Sequence, residues 1–258
     1  MTTKRKAWIN GILLLLTLIV NGLGASGFIN NMSQKEISDM YQTLITPSPA
    51  TFSIWSVIYI LLILSIVMMI VKKDYNYYRQ ATEKLSYLFW LSCGLNIIWI
   101  ISFSYDLIGL SSIFIFAFSI VLVLMIQAVG KLQSQKRLLL PAAFGLYGGW
   151  LFIATVVNIS AWLIKIEWNG FNVSPEIWSS IVLLVAVALT AVVLLKTENA
   201  IFPMPIAWAY YGINNSLSAL GSYRLLQTIA LIGMVVLIGM SAIQLYKNKY
   251  AIMPIVND

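Results

Sequence analysis

The sequence contains no histidine, a single cysteine and nine acidic residues in a chain of 258. Without histidine there is no imidazole to shuttle protons, to ligate a metal, or to act as base in a Ser-His-Asp or Cys-His arrangement. The lone Cys93 can form no intrachain disulfide and reads as a small packing residue in an apolar run. The acidic residues lie almost entirely near loops, which gives no support to an intramembrane carboxylate relay. With no nucleophile–base pair and no set of metal ligands, nothing in this inventory points to an enzyme, to a catalytic residue or to a metal site.

Charge is scarce as well: 10% of residues are charged and 60% hydrophobic, with mean hydropathy +0.87. A water-soluble domain cannot hide that much apolar surface, so the chain reads as an all-α, polytopic membrane helix bundle. The apolar runs have helix length rather than the ten-residue alternation of a membrane barrel. The net charge of +7 is spread over short loops instead of one patch, which excludes a nucleic-acid partner.

A spanning helix needs roughly 20 apolar residues, and eight segments qualify. They run Ala7–Gly24, Thr51–Val71, Leu85–Tyr105, Leu107–Gly130, Pro141–Ile164, Ile177–Leu195, Phe202–Leu220 and Leu225–Tyr246. The seventh, "FPMPIAWAYYGINNSLSAL", is the weakest, since two prolines and two asparagines also fit a re-entrant or buried segment. Eight spans place thirteen basic residues on one side and only Lys35, Lys165 and Arg224 on the other. The positive-inside rule then puts both termini in the cytoplasm. The first segment, with its basic start and small residues at its end, also fits a cleaved signal peptide.

Between the first two spans, "SQKEISDMYQTLI" pairs Ser33 with Glu36 as a capping box ahead of Ile37, Met40, Tyr41 and Leu44. This predicts a short amphipathic helix over the mouth of the bundle, stopped by Pro47 and Pro49. Three spans then carry polar or aromatic residues at helical spacing. The second has Phe52, Trp55 and Tyr59; the third has Asn96, Trp99 and Phe103; the fifth has Trp150, Ala154, Asn158 and Trp162. Each set falls on one stripe of its helix. Such stripes fit an interfacial belt or plain helix packing as well as a ligand pocket. Asn96 and Asn158 need hydrogen-bond partners at mid-span, so each is either interhelical glue or a polar point in a cavity.

"PATFSIWSVIY", "LNIIWIISFSYD" and "GWLFIATVVNISAWL" resemble, in order and spacing, the second-, third- and fifth-helix motifs of the TspO/translocator family, the tryptophan-rich sensory proteins. The resemblance covers residues 5–166 and implies a five-helix domain at 1–166, with 167–258 as an extension of about three further transmembrane helices. It implies an intramembrane pocket for porphyrins or other tetrapyrroles, sterols in some members, or synthetic aromatic compounds. By motif, Trp55 and Trp150 would face each other across that pocket, with Asn96, Phe103 and Ala154 on its walls and Tyr41 closing over it. Phe52, Tyr59, Trp99 and Asn158 complete the expected ligand-binding set. In the extension, Trp208, Tyr210, Tyr211, Asn214 and Asn215 make the seventh span the one expected to reach the ligand.

There are departures from the pattern. The double proline before the phenylalanine is split into Pro47 and Pro49, and "NISAWLIK" lacks the tyrosine of a sterol-type motif. The expected protein is therefore a sensor or receptor of a bacterial-type cytoplasmic membrane, with membrane lipid and a flat apolar aromatic molecule as partners and a homodimer left open. No covalent cofactor is expected, only a bound tetrapyrrole or lipid. Transport of such compounds is the alternative, and light-dependent porphyrin breakdown, associated with the family, is a third.

Overall fold

The computed structural model describes residues 1–256 and consists of helices and short connections. Eight long helices are α1 (Thr3–Ala25), α3 (Ile54–Val71), α4 (Asn76–Ser104), α5 (Ile108–Gly130), α6 (Leu139–Lys165), α7 (Pro175–Thr197), α8 (Pro203–Leu220) and α9 (Arg224–Lys247). A short helix, α2 (Gln34–Met40), lies between α1 and α3, and a 3-10 turn at Pro49–Ser53 leads into α3.

Local chemistry sets several of the boundaries. The Ser33–Glu36 capping box forms and starts α2. Ser174 caps α7 with Pro175 in its first turn, and Gly221, at φ 69°, ends α8 in the left-handed conformation. The eight predicted spans all fall on helices. Only α4 differs much, starting at Asn76 rather than Leu85. Its extra turns are polar on one side but bury Tyr77, Ala81, Thr82 and Leu85 on the other, a helical repeat that hydropathy alone does not register.

Seven of the long helices are long and apolar enough to cross a membrane; α8 is the exception. It nevertheless runs from one end of the bundle to the other. Its start follows Asn199, whose amide donates to the Pro141 carbonyl oxygen at the beginning of α6 (2.9 Å). Its last turns meet the cavity under α2 at the opposite end. At the first end lie the N-terminus, the α3–α4, α5–α6 and α7–α8 connections and the C-terminal tail. Lys6 pairs with Glu83 there, Arg137 reaches the Tyr75 hydroxyl (3.1 Å), and Val256 N–H donates to the Gln133 carbonyl oxygen (2.8 Å).

The bundle is apolar outside and buries its intramembrane polar side chains within a largely apolar core, as expected where lipid is the solvent. Ile12, Leu15 and Ile19 of α1 are exposed, while Asn10 and Thr17 of the same helix are buried. The most buried span is α6, with 67% of its apolar window inside the protein against 28% for α1, α3, α7 and α9. Close approach requires glycine at Gly149, where a Cβ would stand 2.1 Å from the Phe202 carbonyl oxygen. That contact brings the start of α8 against α6.

Candidate functional site

Helices α3, α4 and α6 turn their aromatic stripes toward one another, with Trp55 at the centre. Its ring stacks on Tyr59 (centroids 5.1 Å apart) and Trp99 (6.4 Å). It meets Tyr147 and Trp150 edge-on at 6.1 and 6.2 Å, and Phe52 stands edge-on to Trp150 at 5.7 Å. Edge-to-face and offset arrangements of this kind suit the ring quadrupoles.

Above this layer is a cavity of about 470 Å³, within the size range of small-molecule sites. Of the sequence-predicted residues, Phe52, Trp55, Trp99, Phe103, Trp150, Ala154 and Asn158 line it. Trp55 and Trp150 do not face each other across the space. Their rings touch, so together they form its floor. The roof is polar: Gln34, Lys35, Ser38 and Asp39 of α2 and Gln42 and Thr43 beyond it. Lys35 is paired with Asp39 one turn on, so the rim cation is already partnered by a carboxylate.

Three predicted residues are not on the lining, each for a visible reason. Asn96 is fully buried below the floor. Its side-chain oxygen accepts from Asn21 (2.6 Å) and its amide donates to the Tyr147 hydroxyl (3.3 Å). The Tyr59 hydroxyl joins the same network by donating to Asn21 Oδ1 (2.9 Å), which places Tyr59 beneath Trp55. Both serve as interhelical links among α1, α3, α4 and α6. Tyr41 ends the lid helix and donates to Asp106 Oδ2 (3.1 Å), while Lys165 pairs with Asp106 and lies 5.3 Å from the Tyr41 ring centroid. Tyr41 therefore pins the lid to the α4–α5 connection and the end of α6.

Asn158 is on the lining, but its hydrogen-bonding capacity is committed. Its Oδ1 accepts from Trp99 Nε1 (3.2 Å), and its Nδ2 donates to Ser111 and Ser112 hydroxyls (2.9 and 2.8 Å). Its role is to fix the orientation of the Trp99 ring. The Trp150 indole N–H, by contrast, has no acceptor among the described residues.

One wall comes from α8, through Ser216, Leu217 and Leu220. The side chains singled out in the sequence lie elsewhere on that helix. Tyr210 is buried and donates to the Leu183 carbonyl oxygen (2.5 Å), and Trp208 donates to the Thr51 carbonyl oxygen (2.8 Å). The helix approaches the Pro49–Ser53 turn so closely that a Cβ on Gly212 would lie 2.0 Å from Thr51 Oγ1. Ser48 N–H donates to the Gly212 carbonyl oxygen there (3.0 Å). The signal that could have found this wall is the small-residue spacing Gly212–Ser216 followed by Leu220, a helix-contact stripe.

Among the described residues no three His, Cys, Asp or Glu side chains cluster as metal ligands. No curated protein and no solved structure matches the sequence. The sequence model of the family described as TSPO-like protein does match, over residues 7–243, from the first long helix into the last. That match takes in more than the aromatic motifs of α3, α4 and α6, and the chain belongs to the TSPO-like protein family.

Proposed function

We propose that this protein is a membrane receptor whose cavity binds a flat, apolar aromatic molecule of the tetrapyrrole class. Family membership and an aromatic-lined cavity inside a helix bundle support a general ligand-binding role. The observation that carries the finer reading is the stacked pair Trp55–Trp99 at a cavity floored by rings and roofed by polar groups. A flat ligand laid on that floor gains about 25 cal/mol per Å² of apolar area buried, plus roughly 0.5–1.5 kcal/mol per well-placed ring pair. Carboxylate groups on its edge would meet the lid's amides and hydroxyls, and Lys35 only in exchange for its Asp39 partner. With no histidine in the chain, no imidazole can ligate an iron, and recognition rests on shape and stacking.

In this reading residues 1–166 supply the floor and lid, and residues 167–258 form an extension that adds a wall. The chain crosses the membrane eight times with the basic end cytoplasmic, which puts the lid on the outer side. Binding is favoured over transport because the packed Tyr59–Asn21–Asn96–Tyr147 network lies directly beneath the floor. The test is titration of the purified protein with protoporphyrin, followed by tryptophan fluorescence quenching, in parallel with a liposome flux assay. Saturable quenching without flux, weakened at least tenfold by Trp55→Ala and Trp99→Ala, supports the receptor. Unchanged affinity in both variants removes the pocket assignment, and saturable flux replaces receptor by transporter.

A further inference from the structure

A second cavity, of about 240 Å³, lies at the opposite, basic end of the bundle, between the start of α4 and the α5–α6 connection. Its lining is mostly polar, with Tyr75, Asn76, Gln80, Ser134, Gln135 and Arg137 carrying its chemistry beside Tyr77 and Leu132. Arg137 is half-buried and lies against two aromatic rings, its guanidinium carbon 4.8 Å from the Tyr77 centroid and 5.5 Å from that of Tyr75. Stacking of that kind fixes the plane of the fork.

Its partners are all neutral. Nη2 donates to the Tyr75 hydroxyl (3.1 Å) and to Gln135 Oε1 (3.3 Å), and the buried Nε–H has no acceptor. The ion pairs among the described residues are Lys6–Glu83, Lys35–Asp39 and Lys165–Asp106, and none involves Arg137. A cation partly removed from water and unmatched by any carboxylate among the described residues is unfavourable unless an anion joins it. Three further features favour an anion here. Helix α4 begins at this cavity with no side chain capping its first N–H groups. Asn76 draws a second guanidinium to the rim by accepting from Arg79 (3.1 Å). Lys72, Lys73, Lys131 and Lys136 outnumber the one carboxylate, Asp74, on the adjoining connections.

We infer that this cavity binds a phosphate-type oxyanion, with the Arg137 fork as its main ligand and the hydroxyls and amides of the lining as supporting donors. The group could belong to an anionic phospholipid, since the site sits where the helix ends meet the membrane surface, or to a soluble phosphomonoester. The inference is independent of what the aromatic cavity binds.

The experiment is native mass spectrometry of the full-length protein in detergent, with phosphatidylglycerol, phosphatidylcholine and glycerol 3-phosphate as probes. The wild type is expected to retain phosphatidylglycerol or glycerol 3-phosphate in preference to phosphatidylcholine, with Arg137→Gln weakening the interaction at least tenfold and Lys35→Gln, at the other end, leaving it unchanged. Retention of the lipid alone identifies a headgroup site; competition by glycerol 3-phosphate identifies a soluble ligand. Gln80→Glu provides a second variant at an exposed position, placing a carboxylate in the cavity while Arg137 stays, and it should expel the anion. Equal binding of the anionic probes by wild type, Arg137→Gln and Gln80→Glu, or by wild type and Gln80→Glu should Arg137→Gln fail to fold, overturns the site.

Discussion

The indole N–H of Trp208 donates to the carbonyl oxygen of Thr51 at 2.8 Å, joining α8, the seventh long helix, to the turn that launches the aromatic row. The bond holds α8 where its Ser216, Leu217 and Leu220 form a wall of the cavity. Trp208→Phe keeps an aromatic ring, though a smaller one, and removes the donor. A net hydrogen bond is worth about 0.5–1.5 kcal/mol, so porphyrin affinity should fall about two- to tenfold with little change in fold. Fluorescence titration reads this directly, and an affinity equal to wild type would separate α8 from the site.

The two asparagines should behave differently. Asn96→Ala removes the acceptor of one Asn21 N–H, the other staying on the Thr17 carbonyl oxygen, and the donor to the buried Tyr147 hydroxyl, at a cost of about 1–2 kcal/mol in stability. Asn158→Ala releases the Trp99 N–H at the cavity floor and removes a donor from the Ser111 and Ser112 hydroxyls. Both hydroxyls keep their own bond to the Ile108 carbonyl oxygen, so the substitution should weaken binding more than it lowers stability. Paired unfolding and binding titrations in detergent decide, and the reverse pattern would mean that the floor and the network have been assigned the wrong way round.

These cases show what could be read in advance. All eight helical stretches and the Ser33–Glu36 cap were legible, because hydropathy and capping are local in sequence. The stripes on α3, α4 and α6 were legible as stripes for the same reason. Which asparagine links helices and which orients a ring was not, because the deciding partners, Asn21 and Tyr147 for one and Trp99, Ser111 and Ser112 for the other, lie on other helices. The seventh span is expected to reach the ligand, but the residues through which it meets the cavity were missed: Trp208, Tyr210 and Tyr211 draw attention, whereas it is Ser216 and Leu217 that line the cavity, next to the close contact of Gly212 with Thr51.

Trp150 offers a test of the floor's packing. Its side chain is buried and its N–H lacks an acceptor among the described residues, so Trp150→Phe removes an unsatisfied donor together with some volume. The two effects oppose, and stability should stay within about 1 kcal/mol of wild type. Trp150→Ala leaves a true cavity and should cost about 3–5 kcal/mol. Chemical unfolding of the two variants checks the contrast, and an equally large loss in Trp150→Phe would show that the indole N–H does have a partner.

The lid should respond to acid. Hydrogen bonds from the Ser33 backbone N–H and hydroxyl hold the Glu36 carboxyl below its ordinary value of 4.5. Because the folded value is the lower one, the cap's contribution is fully present above about pH 4.5 and disappears as pH falls through the depressed folded value. Hydrogen exchange at the α2 amides, corrected for intrinsic rate, should accelerate over that window in the wild type. In Glu36→Gln it should show no such step, and a step that persists would place the titrating group elsewhere.

The most direct measurement is a structure of the protein determined with protoporphyrin bound. The account requires the macrocycle to lie between the Trp55–Trp99–Trp150 floor and the α2 lid, with the Leu217 side of α8 against its edge. A macrocycle seated instead on the lipid-facing surface, with the space above Trp55 left unfilled or closed, would contradict it.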